Sequence, residues 1–146
     1  MALRYDTQET NFRFRNRRKT TQWIRETVAA EGFQTGEIAI VFCSDACLLE
    51  VNRTWLGHDY PTDIITFDDS DLPHGVVSGD LLIGIDTVRR NAAEYNTPPD
   101  EELLRVIIHG VLHLCGYGDK TPTEAALMRQ KEDFYIALHI STLFSA

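Results

Sequence analysis

The sequence predicts one α+β domain across its 146 residues, a single small mixed sheet of about four strands packed against about five helices. Three observations predict it. Short apolar or alternating runs of strand length are interleaved with longer segments of helical period, and the last fifty residues carry helical signals only. No proline- or glycine-rich linker, repeat or low-complexity tract divides the chain, and its 43% hydrophobic and 25% charged residues are those of a folded globular protein.

The elements follow in order. Leu3–Thr7 and the alternating Phe12-Arg-Phe-Arg15 read as short extended segments, and Trp23, Ile24, Thr27 and Val28 mark a helix that Gly32 stops. Ile38–Cys43 is a continuous apolar run, the pattern of a strand covered on both faces. Ser44 caps the next helix, with Leu48, Leu49, Val51, Trp55 and Leu56 inward and Gly57 ending it. Cys43 and Cys47 at this junction read as small buried apolar residues. A strand enters through Pro61 and runs to Phe67; Asp68–Gly75 is an acidic loop in which His74 is solvated, and Val76–Ile85 is an inner strand. Asp86 is expected to cap a helix carrying Val88 and Ala92 inward. Thr97 and Pro98 are expected to open the following one.

That following helix, reaching Cys115, has apolar residues around most of its circumference, as a buried central helix does. Its one polar stripe is Glu102, Arg105, His109 and His113. Residues four apart leave a helix on one face, so the two histidines project together. Asp119 follows six residues later, beyond a turn at Gly116, and completes a three-ligand metal site at the C-terminal end of the helix. Gly110 lies on the apolar side, where it permits close approach to a strand. Thr121-Pro-Thr-Glu124 is a capping box for the last helix, whose inner side takes Met128, Phe134, Tyr135 and Leu138, with His139 at the surface.

Two nitrogens and a carboxylate oxygen suit one zinc ion with an open fourth position; ligand type alone also admits other divalent transition metals. Zinc in such a site acidifies water and polarises a carbonyl or phosphoryl oxygen, so the chemistry is hydrolysis. No glycine-rich turn follows a strand and no P-loop lysine is present, so no nucleotide cofactor is expected. No apolar run approaches the ~20 residues of a membrane span. The odd count of three cysteines and an N-terminus without a signal-peptide pattern set the expectation of a reducing, cytoplasmic compartment. The net charge of −8 opposes general nucleic-acid binding, yet Arg13, Arg15, Arg17, Arg18, Lys19 and Arg25 place six of the 14 basic residues in thirteen positions. This run is either a solvated face or a phosphate-attracting patch.

The histidine spacing is also that of the metzincin proteases, but their general-base glutamate, beside the first histidine, is replaced here by Gly110. His109-Gly-Val-Leu-His113-Leu-Cys-Gly-Tyr117 resembles the signature of the YbeY family of ribosomal-RNA maturation endoribonucleases. Asn52, Pro61-Thr-Asp-Ile-Ile-Thr-Phe67 and Gly79-Asp-Leu-Leu-Ile83 are similar to that family's other two blocks, in the same order. The resemblance implies a metal-dependent, single-strand-directed ribonuclease that processes small-subunit ribosomal RNA and takes part in ribosome quality control. Its partners would be RNA and the small subunit or its assembly factors. The family's third histidine falls at Asp119, and its arginine falls at Leu56. His58 or Arg105 is then the candidate replacement cation. Asp63 is expected to hold a ligand histidine's second nitrogen or to cap a turn, and Asp80 carries the same two expectations. The alternatives are a metallopeptidase or other zinc hydrolase on the same ligands, and a non-catalytic ribosome-assembly factor with a structural metal.

Overall fold

The computed structural model describes residues 2–58 and 62–143, with side chains as far as residue 140. Asp59 and Pro61 lie outside the described residues. Strands β1 (Leu3–Gln8), β2 (Gln34–Cys43), β3 (Ile64–Asp68) and β4 (Val76–Gly84) form one sheet in the order β1-β2-β4-β3. β1, β2 and β4 run parallel, and β3 pairs antiparallel with β4 along one edge. The helices are α1 (Arg17–Ala30), α2 (Asp45–Leu56), α3 (Ile85–Glu94), α4 (Pro99–Leu114) and α5 (Pro122–Leu143), with a short 3-10 turn at Leu72–His74. The expected mixed sheet and five helices are therefore present.

Alternation along the inner strands divides the helices between the two faces. Ile38, Ile40, Phe42, Val77, Leu81 and Ile83 point into the main core with α1, α3, α4 and α5. Cys43, Ile65 and Leu82 point the other way and are covered by α2 through Leu48. Helix α4 lies at the centre, with Ile107, Ile108, Val111, Leu112 and Leu114 fully buried. It sits hard against the sheet because Gly110 has no side chain: a Cβ there would come within 2.7 Å of Ile64 Cδ1 and 2.9 Å of Leu81 Cδ2. This seat fixes the height of His109 above β3.

Several local expectations are replaced for identifiable reasons. Phe12–Arg15 is not a strand; Phe12 and Phe14 instead pack their rings on Phe42 at 5.1 and 5.0 Å. Asp86 does not cap α3, which begins at Ile85; the Asp45 carboxylate of α2 accepts from the Thr87 backbone N–H at 3.1 Å instead. Thr97 does not cap α4, which starts one residue later than expected, at Pro99. Trp55, Leu56, Phe134 and Leu138 face outward, because α2 and α5 each cover the core with a narrow stripe. His139 is buried rather than superficial, stacked on Trp23 with ring centroids 4.3 Å apart. Ser44 and the Thr121–Glu124 box do cap their helices: Ser44 Oγ accepts from Cys47 N, and Thr121 and Glu124 exchange backbone-to-side-chain bonds at 3.1 Å. Among the described residues no helix is long and apolar enough to cross a membrane.

Replacing Gly110 with valine should cost about 1–3 kcal/mol by overpacking. Urea unfolding measures it, and an unchanged midpoint would mean that α4 is not seated this closely.

Candidate metal centre

One helix and the turn that follows it bring the centre together. Helix α4 projects His109 and His113 from its polar stripe, one turn apart. The helix ends at Leu114, and Gly116, with φ of +107°, turns the chain back so that Asp119 returns to the histidines. The two Nε2 atoms are 3.0 Å apart, and Asp119 Oδ2 is 3.3 Å from each. Tetrahedral zinc with bonds of about 2.0–2.1 Å sets its ligand atoms about 3.3 Å from one another, so this triangle has the size of one face of such a site. Among the described residues it is the group of histidine, cysteine and acidic side chains whose ligand atoms converge closely enough to hold a metal ion.

The far side of each ring determines what faces inward. His109 Nδ1 is 2.7 Å from Glu132 Oε2, and His113 Nδ1 is 2.8 Å from the Tyr117 carbonyl oxygen. Both partners are acceptors, so each Nδ1 carries the proton and each Nε2 presents a lone pair. Two lone pairs and a carboxylate oxygen thus point at one another, an arrangement that calls for a cation between them. Burial alone would hold His109 neutral, yet the hydrogen bond and charge of Glu132, with Asp119 and Asp63, outweigh it and raise its pKa. The surroundings favour positive charge at this point, whether a proton or a metal ion.

Glu132 is not among the residues singled out from the sequence. The signal was present: it lies between Met128 and Tyr135 on the buried stripe of α5, where a lone carboxylate needs a reason. Burial pushes its pKa up, but bonds from His109 and Arg105 overcome this and leave it lowered, hence ionised. Arg105 bonds Glu132 at 2.9 Å and Asp133 at 2.7 Å, so its guanidinium holds Glu132 in place and is not a free phosphate contact. Asp63 lines the cleft beside His109, its pKa raised by burial against the pull of His109 and backbone N–H groups. It does not hold either second nitrogen; Glu132 and Tyr117 do. Asp80 is exposed on the sheet face opposite Leu81 and lines no part of this cleft. His58, exposed beyond the end of α2, stands on the cleft wall with Asn52 and Leu56. Of the run Arg13, Arg15, Arg17, Arg18 and Lys19, all exposed and outside this cleft, Arg17 and Arg18 lie beside Leu3 and Tyr5 of β1, with β2 and β4 between β1 and β3, and Lys19 faces α5 instead.

The turn that carries Asp119 is braced from behind. Glu31, whose side chain is only 7% exposed, accepts from Tyr117 Oη at 2.5 Å, from Lys131 Nζ at 3.2 Å and from Tyr135 Oη. These three bonds outweigh the upward push of burial and lower the Glu31 pKa below its ordinary 4.5. The end of α1 therefore clamps the residue whose carbonyl orients His113.

The family described as Endoribonuclease YbeY matches residues 3–139. A protein of Bacteroides thetaiotaomicron named Endoribonuclease YbeY is 48% identical over 138 residues, covering 94% of this chain and 99% of its own. One of the same name from Phocaeicola vulgatus is 49% identical over 136 residues, covering 93% and 97%. The solution structure of TM1509 from Thermotoga maritima superimposes with a TM-score of 0.68 at 26% identity, over 97% of this chain and 91% of that one.

Two outcomes follow from the site. Glu132→Gln should lower metal affinity by roughly 10–100-fold in a chelator competition, as loss of a ligand's hydrogen-bonded carboxylate does; unchanged affinity would remove Glu132 from the site. A carboxylate with a lowered folded pKa stabilises the fold above its unfolded pKa, and that contribution is lost as pH falls through the folded value. Glu31→Gln should therefore destabilise the protein most near neutral pH, with the difference from wild type shrinking as pH drops below 4.5. Thermal melts at several pH values measure this, and a difference that does not change with pH would contradict it.

Proposed function

The chain belongs to the Endoribonuclease YbeY family, and we propose on that footing that it is a zinc-dependent endoribonuclease of the cytoplasm. Its substrate would be single-stranded small-subunit ribosomal RNA, cut during ribosome maturation and quality control alongside the small subunit and its assembly factors. One observation carries the reading: Nε2 of His109, Nε2 of His113 and Oδ2 of Asp119 converge as three acceptors at metal-ligand spacing, in an open cleft.

A divalent cation supplies Lewis acidity towards a phosphoryl oxygen and makes water a stronger acid. The chain's own residues do the rest. His109 and His113 offer neutral nitrogens, held in the required tautomer by Glu132 and the Tyr117 carbonyl. Asp119 offers a charged oxygen, which lowers the net charge of the centre relative to three imidazoles and moderates its Lewis acidity. Asn52, His58, Thr62, Asp63 and Thr66 line the same cleft, presenting amide, imidazole, hydroxyl and carboxylate groups to ribose and bases. Asp63, whose pKa burial raises, is a carboxyl in the cleft suited to a proton-exchanging role.

The peptidase alternative is disfavoured by Gly110. A glutamate base beside the first histidine has no room there, because that side of α4 is pressed against Ile64 and Leu81.

The test is cleavage of a labelled single-stranded RNA by zinc-loaded protein, with chelated protein and His113→Ala alongside. Cleavage should need both the metal and His113, and the substitution should remove it while leaving the thermal melt intact. Metal-loaded protein that cleaves casein but no RNA would favour the peptidase, and one that cleaves neither would favour a non-catalytic assembly factor.

A further inference from the structure

Half of the basic residues, seven of 14, lie in the first thirty positions against three of 22 acids, so this segment carries +4 on a chain of net −8. The fold brings three of them together. Arg17, Arg18 and Arg25 line an open groove between α1 and the Leu3 and Tyr5 side chains of the edge strand, with Glu26 the one acid in that lining. Arg13 and Arg15 alternate outward from the inward-packed Phe12 and Phe14 just before α1. Arg4 points to the other sheet face, and Lys19 lines a separate groove against α5. All these arginines are exposed, and among the described residues none makes an ion pair with a carboxylate; Arg17 lies over the Tyr5 ring at 5.9 Å.

This placement works against the free protein. α1 opens with Arg17, Arg18 and Lys19 and no acid in its first turn, and Asn16 makes no side-chain cap. Cations at the positive end of a helix dipole are unfavourable, and so is their mutual repulsion. The cleft at the metal centre shows the reverse: its lining holds Asp63, Asp68 and Asp119 and neither lysine nor arginine. A polyanion drawn to that cleft by a metal ion alone would be repelled by its walls.

We infer that the β1–α1 face is a second RNA-binding site, which anchors phosphates of the substrate strand outside the cleft where it is cut. The inference rests on the ribonuclease reading. Three strand spacings separate β1 from β3, about 14 Å, so an anchored strand must run past the cleft to reach the face. The chemistry of the partner, on the ribonuclease reading, is a single-stranded polyphosphate: the exposed guanidinium groups of Arg17, Arg18 and Arg25 along one groove suit its phosphates.

The triple variant Arg15→Gln, Arg18→Gln, Arg25→Gln tests it, with the matching triple lysine variant as the charge-preserving control and thermal melts to confirm folding. On an RNA of about forty nucleotides the glutamine variant should show a KM at least about tenfold higher with kcat unchanged, and a log–log salt slope shallower by about two. The lysine variant should keep the salt slope, and a pentanucleotide should be cleaved alike by all three proteins. An unchanged KM and salt slope on the long RNA would overturn the inference, as would an equal loss on the pentanucleotide. If zinc-loaded wild type cleaves no RNA, the ribonuclease reading fails separately. Fluorescence anisotropy of the long RNA then decides the face: weaker binding by the glutamine variant supports it, while equal binding, or displacement of the RNA by polyglutamate at lower concentration than by polyuridine, overturns it.

Discussion

Three acceptor atoms aimed at one point form the constraint on which much of this structure depends. The lone pairs of His109 and His113 and the Asp119 carboxylate oxygen repel one another unless positive charge lies between them. Holding them so close requires a rigid frame, and the surrounding elements provide it. The buried face of α4 locks the histidine backbone against the sheet. Glu132, itself gripped by Arg105, locks one ring. The Tyr117 carbonyl locks the other, and Glu31 fixes the Tyr117 side chain. Each of these bonds points away from the centre and leaves its inner side for a cation and a substrate.

The frame draws on distant parts of the chain. Glu31 comes from the end of α1, Lys131 and Tyr135 from α5, and Tyr117 from the turn between α4 and α5. The Tyr135 backbone oxygen in turn accepts from Trp23 Nε1 at 2.8 Å, which ties α5 back to α1. A perturbation at the α1–α5 contact is therefore felt at the turn that carries Asp119 through a short path of hydrogen bonds. The β1–α1 face lies on the outer side of the same helix, so the proposed anchor and the brace of the turn share one element.

Much of the fold, and the meeting of His109, His113 and Asp119, is legible in the sequence because local signals and tertiary packing agree there. The wheel of α4 showed both its burial and its polar stripe, Gly110 marked the close approach, and the i, i+4 histidines needed only a turn at Gly116 to meet Asp119. What was not legible depended on partners far away in the chain. Of the two expectations for Asp63, holding a histidine's second nitrogen or capping a turn, the first falls to the distant Glu132 on α5, while the Asp63 carboxylate accepts from the local backbone at Asp63 and Ile64. Asp86 was expected to cap its own helix, whereas Asp45, forty-two residues before Thr87, takes that place. Trp55, Phe134 and Leu138 were placed inside by hydrophobicity alone, but which stripe of an amphipathic helix meets the core is fixed by the neighbouring elements. A polar residue near the end of the chain reads as superficial, so His139 gives no local sign of its buried stack on Trp23, which forms only once α1 and α5 pack.

X-ray absorption on protein loaded with one equivalent of zinc reads the ligands of the centre. A four-coordinate nitrogen and oxygen shell at about 2.0–2.1 Å with the outer scattering of two imidazoles is expected. Sulfur scattering at about 2.3 Å would place the metal on the cysteines instead. A shell without imidazole scattering would equally contradict the assignment of His109, His113 and Asp119 as its ligands.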